Sequence, residues 1–162
     1  MEHENLLIGI SQLGAVFAGF LAIVLVFVSK DGRLTPPRGL RARAILHSSF
    51  LVIFGALLPL VLLALQLEAG RIWQWSAMIL LPVGALMVGE GIWHHLRMSP
   101  EDRRIAGLLP TFAPWTFSAL GMVSIFALAL GYGAGGLFIL ALIFALASAT
   151  ISFMALALED WL

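Results

Sequence analysis

One carboxylate stands inside a strongly apolar stretch of the sequence, in the segment LMVGEGIWHHLR from Leu86 to Arg97. Glu90 lies between two glycines, and His94 and Arg97 follow it four and seven residues later. On a helix these spacings place all three side chains on one face. A carboxylate at the bilayer centre costs roughly 2.5–3.5 kcal/mol on insertion scales, and such a residue is a functional candidate by default. The segment therefore predicts an ion or proton site within a membrane helix.

A second set of polar residues lies in the apolar run that comes before this segment. His47 is followed by Ser48 and Ser49, close to the start of a run that we take to begin near residue 44. Because this run starts, and the run of Glu90 ends, on the same side of a membrane, His47 and Glu90 are expected at similar depth. These residues predict a cluster that binds a cation or relays a proton.

Two other interpretations of Glu90 stay open. Glu90 lies only about 9 Å along the helix from Leu96, so its carboxylate could snorkel to the membrane surface and pair with His94, Arg97 or a base on a neighbouring helix. Alternatively, Glu90 and His94 could each reach one metal ion. The sequence contains no cysteine and no motif typical of a catalytic site. We expect neither an enzyme nor a bound cofactor or metal.

The composition identifies the environment of these residues. Apolar residues make up 61% of the 162-residue chain and charged residues 11%, against roughly 45–50% and 25% in soluble domains. Five apolar runs are long enough to span a bilayer, at about 5–29, 44–67, 72–96, 108–131 and 135–158. The runs do not alternate as barrel strands do, so we predict helices. The predicted fold is all-α, a single polytopic membrane domain over residues 1–162.

Basic residues predict how this bundle is oriented. Eight of the nine lysines and arginines fall in the first and third predicted loops, and short cytoplasmic loops are rich in these residues. The N-terminus is therefore predicted outside and the C-terminus in the cytoplasm. The eight residues are Lys30, Arg33, Arg38, Arg41, Arg43, Arg97, Arg103 and Arg104. Five of them are also candidates for contact with anionic lipid, namely Arg38, Arg41, Arg43, Arg103 and Arg104. A role as topology anchors alone would account for them equally well.

Turn and capping signals divide the remaining segments. Ser99 followed by Pro100 and two acids predicts the N-terminus of a short interfacial helix that ends near Pro110. The segment GYGAGG, residues 131–136, predicts a turn between the last two membrane helices.

Small residues recur at helical spacing in the first and last runs. Because apolar burial does not drive helices together in lipid, such residues favour close helix packing, within one chain or between subunits. The two sets are Ser11, Ala15, Gly19 and Ala22, and Ala141, Ala145 and Ala149. Gln12 lies beside the first set and could bridge helices or face a pore in a symmetric assembly.

Two functional hypotheses follow from these patterns. The first is a homo-oligomeric channel or ion- or proton-conducting transport protein, with a pathway through Glu90, His47, Gln12, Ser48 and His94. The second is a non-catalytic accessory subunit of a larger membrane complex, which could also bind lipid. The scarcity of polar residues in the membrane core favours this hypothesis. Membrane lipids and other membrane subunits are expected partners, and nucleic acid is not. The stretches VFAGFLAIVLVF, LRARAILHSS and GALLPLVLL resemble parts of small bacterial membrane proteins, so a bacterial inner membrane is the expected location.

Overall fold

The computed structural model describes residues 3–28, 34–68 and 70–158. In these ranges the chain forms six helices and no strand: α1 Glu4–Val28, α2 Pro36–Ala64, α3 Ile72–Arg97, α4 Pro100–Ala106, α5 Leu108–Ala129 and α6 Gly135–Leu158. All except α4 are long and apolar enough to cross a membrane. The all-helical prediction is thus confirmed, and the five long helices suggest a multi-pass membrane protein. Lys30 and Arg33 lie outside the described residues.

The second long helix begins two turns earlier than the apolar run suggests, at Pro36 instead of near residue 44. Pro36 and Pro37 occupy its first turn, where no N–H is needed for a helical hydrogen bond. The backbone N–H of Gly39 donates to the carbonyl of Thr35 at 2.8 Å and closes that turn. Arg38, Arg41 and Arg43 consequently lie on a helix and not in a loop.

The short helix α4 forms where its capping signal predicts. The hydroxyl of Ser99 accepts a hydrogen bond from the backbone N–H of Asp102 at 3.1 Å, and Pro100 is the first helical residue. The helix ends at Ala106 and not near Pro110, because Gly107 adopts a positive φ of 72° that a helix cannot continue. At the other end of the bundle, positive φ angles at Gly131 and Gly133 make the predicted turn between α5 and α6.

Helices α2 and α6 lie at the centre of the bundle. Helix α2 packs against α1, α3 and α6, and α5 packs against α3 and α6. We call the end of the bundle that carries α4 the α4 end. The main core fills the half away from it, around buried residues such as Leu7, Val52, Leu80, Phe138 and Leu142. A smaller core of Leu21, Ala42, Ile45 and Leu156 lies near the α4 end.

The two sets of small residues have different environments. On α6, Ala141 and Ala149 are buried and Ala145 is partly buried. Helix α5 comes close to this set, since a Cβ at Gly121 would lie 3.3 Å from the carbonyl oxygen of Ala141. Close helix contact thus occurs at this set within one chain.

On α1 the small residues face away from the bundle. Ala15, Gly19 and Ala22 are exposed, and Ser11 is only partly buried. A Cβ at Gly14 would instead lie 3.0 Å from Val52 and Ile53, so this glycine marks the close contact with α2. Large side chains such as Leu7 and Leu21 fill the rest of that contact, which leaves the small residues on the opposite face.

Candidate functional site

Glu90 is the centre of a cluster of charged and titratable side chains between α2 and α3. Its Oε1 lies 2.7 Å from Nη1 of Arg43 and 3.4 Å from Nε2 of His94. Its other oxygen, Oε2, lies 3.5 Å from Nε2 of His47. The carboxylate therefore links the two helices: Oε1 faces Arg43 of α2 and His94 of its own helix, and Oε2 faces His47 of α2. We call Arg43, His47, Glu90 and His94 the Glu90 cluster.

Helical spacing brings the cluster together. Arg43 and His47 are four residues apart on α2, and Glu90 and His94 are four residues apart on α3. Residues at this spacing share a helix face. Because α2 and α3 are joined by a short turn, they run antiparallel, and the start of α2 meets the end of α3.

Arg43 makes a second contact, between its Nη1 and Nε2 of His94. A guanidinium can only donate, so Nε2 must accept in this arrangement, and the proton of the neutral imidazole must be on Nδ1. Protonation of His94 would turn Nε2 into a donor, directed at Glu90 instead of Arg43. The structure contains the arrangement in which Nε2 accepts, and an arrangement in which Nε2 donates would need one further proton on His94.

The Glu90 cluster lies at the mouth of a cavity of about 100 Å³ enclosed by α2, α3, α5 and α6. All four cluster residues line this cavity. Their side chains are between one quarter and one half exposed, from 24% for His47 to 50% for Arg43. The cluster side chains are thus partly exposed and at the same time line the cavity.

Hydroxyl groups lie deeper in the cavity. Ser48 of α2 is buried, and the hydroxyls of Ser118 on α5 and Ser148 on α6 are 3.2 Å apart. They provide hydrogen-bonding positions in surroundings that are otherwise apolar. The cavity ends at Leu80 and Leu142, which also belong to the main core.

The site residues predicted from the sequence fall into two places. His47, Ser48, Glu90 and His94 come together around one cavity. Gln12 does not join them, because it is exposed on α1 and lines neither this cavity nor the groove beside it. Arg97 does not contact Glu90 in the described structure, since its guanidinium stacks on the ring of Trp93 at 4.2 Å.

The arginines predicted to contact anionic lipid are not equivalent. The predicted lipid contact of Arg41 has to be corrected. Arg41 is only 8% exposed, and it donates to the carbonyl of Ala106 at 2.9 Å and to that of Ala155 at 3.2 Å. Burial against α4 and α6 removes its guanidinium from lipid headgroups. Arg103 donates to the carbonyl of Leu96 and remains exposed. Arg104 is exposed on α4, and Arg38 is partly buried on α2.

Sequence reasoning missed Arg43 as a member of the cluster. The signal was present, because Arg43 precedes His47 by four residues. The four-residue spacing implies a shared helix face only if both residues are helical, and the start of α2 at Pro36 places Arg43 on the same helix as His47.

Arg43 also bears on the metal alternative, because its Nη1 occupies the position between Glu90 and His94 that a shared metal ion would need. Among the described residues, no three potential metal ligands of the His, Cys, Asp and Glu types form a group that could hold a metal ion.

No protein family model, curated protein or solved structure matches this chain.

Proposed function

We propose that the protein is a proton-conducting membrane transport protein in which the Glu90 cluster forms the inner entrance of the pathway. The observation that carries this proposal is the convergence of Arg43, His47, Glu90 and His94 on a cavity that reaches between four membrane helices. The cluster combines a carboxylate with two imidazoles, and side chains of both types can accept and release a proton. Protons fit this site better than metal cations because Arg43 occupies the cation position.

The proposed mechanism uses the two hydrogen-bonding arrangements of His94. With neutral His94, Arg43 is shared between His94 and Glu90. A proton arriving on Nε2 of His94 repels Arg43 and makes His94 a donor to Glu90. The proton then passes to the carboxylate, and from it to water held by the serine hydroxyls of the cavity.

The outer half of the pathway has to open for conduction, because Leu80 and Leu142 close the cavity. Three of the four helices around the cavity contain an internal proline, Pro59 in α2, Pro82 in α3 and Pro114 in α5. Each proline removes one helical hydrogen bond and allows its helix to bend. We assign the opening movement to these positions.

We place the α4 end in the cytoplasm, with the N-terminus outside, α4 at the membrane interface and the chain in a bacterial inner membrane. The arginines of α2 and α4 support this orientation because basic residues are retained on the cytoplasmic side. We further propose a homo-oligomer that associates through Ala15 and Gly19, two exposed small residues of α1. Gly19 supports this contact, since nothing lies within 4 Å of a Cβ placed there. In this assembly each chain has its own cavity.

Proton flux into liposomes tests the proposal. The purified protein is reconstituted with a potassium gradient and valinomycin, and proton uptake is followed with an internal pH dye. We expect flux above that of protein-free liposomes. Glu90→Gln keeps the shape of the side chain but not its charge, so the flux should fall about tenfold or more, given that a positioned proton-transfer group contributes roughly 10²–10⁴.

Glu101→Gln is the matched control, because Glu101 is exposed on α4 and lines neither cavity. It should conduct as the unsubstituted protein does. Absence of flux in every preparation, or equal flux in Glu90→Gln and the unsubstituted protein, would refute proton conduction through this site.

The accessory-subunit hypothesis retains one observation in its favour. The exposed face of α1, formed by Ala15, Gly19 and Ala22, would accept a helix of a different chain as well as a copy of its own. Purification in mild detergent distinguishes the two. Unrelated chains in fixed stoichiometry would favour the accessory role, and a pure homo-oligomer favours the transport protein.

A further inference from the structure

A second cavity lies beside the Glu90 cluster, in a groove between α1 and α3 that runs across α2. We call it the α1–α3 groove. Its volume is about 670 Å³, within the range of about 300–1,000 Å³ that is typical of ligand pockets. Arg43 and His94 line both this groove and the first cavity, so the cluster forms part of the wall between them.

The walls of the groove are apolar over most of its length. Ala18, Leu21, Ala22 and Leu25 form the α1 side, and Leu46 lies on the α2 side. The α1 residues span about 10 Å along the helix axis, at 1.5 Å per residue. Ala22 and Leu46 are exposed, so the groove opens onto the apolar face of the bundle that a membrane would cover.

The α4 end of the groove is polar and carries positive charge. Arg97 is exposed there, with its guanidinium stacked on Trp93, which leaves the N–H groups at its edge available to a ligand. Arg43 lines the groove from α2. Asp102 is the acid among the described lining residues, and its carboxylate accepts a hydrogen bond from the hydroxyl of Ser99 at 2.7 Å.

We propose that the α1–α3 groove is a binding site for an anionic phospholipid. The phosphate lies against Arg97 and Arg43 at the α4 end, and an acyl chain extends along the apolar α1 side. An amphipathic ligand matches the groove because the polar and apolar parts of the lining are separated along its length. A phospholipid fits better than a peptide because the groove opens on the lipid-facing surface. This proposal does not rest on proton conduction.

Native mass spectrometry of the whole protein, released from detergent, tests the site. Phosphatidylglycerol and phosphatidylcholine with identical acyl chains are titrated separately, and the fraction of protein retaining one lipid is measured. We expect phosphatidylglycerol to be retained preferentially. Arg97→Gln should weaken that retention about fivefold, the factor expected of one arginine near an anionic headgroup. Arg71→Gln, exposed at the opposite end of the bundle and outside the groove, is the control and should retain it.

A second pair of variants distinguishes the groove from general attraction to a basic surface. Ala22→Phe places a ring in the groove, whereas Ala15→Phe places the same ring on α1 outside it. Both positions are exposed, so both variants should fold, which circular dichroism checks. Loss of phosphatidylglycerol retention in Ala22→Phe but not in Ala15→Phe is the expected result. Equal retention of the two lipids by the unsubstituted protein, or unchanged retention in Ala22→Phe, would overturn the site. Because the readout is lipid retention and not flux, it can fail without affecting the proposed function.

Discussion

Two arginines on α2, only two residues apart, have opposite environments. Arg41 is 8% exposed and donates to backbone carbonyls of α4 and α6, so it joins three helices. The side chain of Arg43 is 50% exposed and pairs with Glu90. The first therefore serves the fold, and the second belongs to the Glu90 cluster.

This contrast predicts different effects of the same substitution at the two positions. Arg41→Met leaves the carbonyls of Ala106 and Ala155 without these donors and should lower the free energy of unfolding by about 2–3 kcal/mol. Arg43→Met removes an ion pair that solvent screens, so it should lower the free energy of unfolding by about 1 kcal/mol or less. Unfolding in mixed micelles, followed by circular dichroism, measures both. Equal losses would contradict the distinction.

The membership of the Glu90 cluster was only partly predictable from the sequence. The spacing of Glu90 and His94, and the similar depth of His47, follow from the sequence and the helix geometry alone. The position of Arg43 does not, because two prolines and several basic residues look like a loop until α2 is known to begin with them. The corresponding error at Arg41 has the same origin.

At the scale of elements, α1 attaches to the bundle through a glycine. A Cβ on Gly14 would lie 3.0 Å from side chains of Val52 and Ile53 and 3.1 Å from the carbonyl oxygen of Ser49. The backbone oxygen cannot move aside without displacing α2. By contrast, nothing lies within 4 Å of a Cβ on Gly19 of the same helix.

Substituting leucine for each glycine should distinguish the two positions by its effect on the free energy of unfolding. Gly14→Leu should overpack the contact and lower the free energy of unfolding by about 1–3 kcal/mol. Gly19→Leu should not lower it, because leucine is the better helix former and meets no neighbour in the chain. The comparison is made in micelles at dilution, where the chain is monomeric, so that only contacts within one chain contribute. A loss at Gly19 equal to that at Gly14 would show that α1 packs through its small residues after all.

The same glycine pair bears on assembly. If copies associate through the exposed face of α1, Gly19→Leu should prevent the oligomer from forming at higher protein concentration. Light scattering on the detergent complex measures its mass. An oligomer of unchanged mass in Gly19→Leu would place the subunit contact elsewhere.

The positions of the helices along the chain were easier to predict than which face of each helix is buried. Run lengths and the glycine-rich turn are properties of local sequence, and they locate the five long helices. Which face of α1 is buried depends on its neighbours, and here Leu7 and Leu21 are buried while the small residues are not. In lipid both kinds of face are apolar, so hydrophobic periodicity does not distinguish them.

At the scale of the whole molecule, the bundle is asymmetric along its axis. The Glu90 cluster lines its cavity on the side of the α4 end, and the main core fills the other half. If the α4 end faces the cytoplasm, a small cation should enter the cavity from the cytoplasmic side and not from the outside. This access is the central requirement of the proposed pathway.

The absence of native cysteine makes access directly measurable. Ser148→Cys places one thiol on the cavity wall, and Ser76→Cys places one at a fully buried position of α3 outside the cavity. Silver ions bind thiolates, and the bound thiol resists later alkylation in denaturant. Both variants are treated in inverted and in right-side-out membrane vesicles. We predict rapid protection of Ser148→Cys in inverted vesicles, slow protection in right-side-out vesicles, and none of Ser76→Cys in either. Protection of Ser148→Cys from the outside alone, or no faster than that of Ser76→Cys, would contradict a cavity that opens inward through the Glu90 cluster.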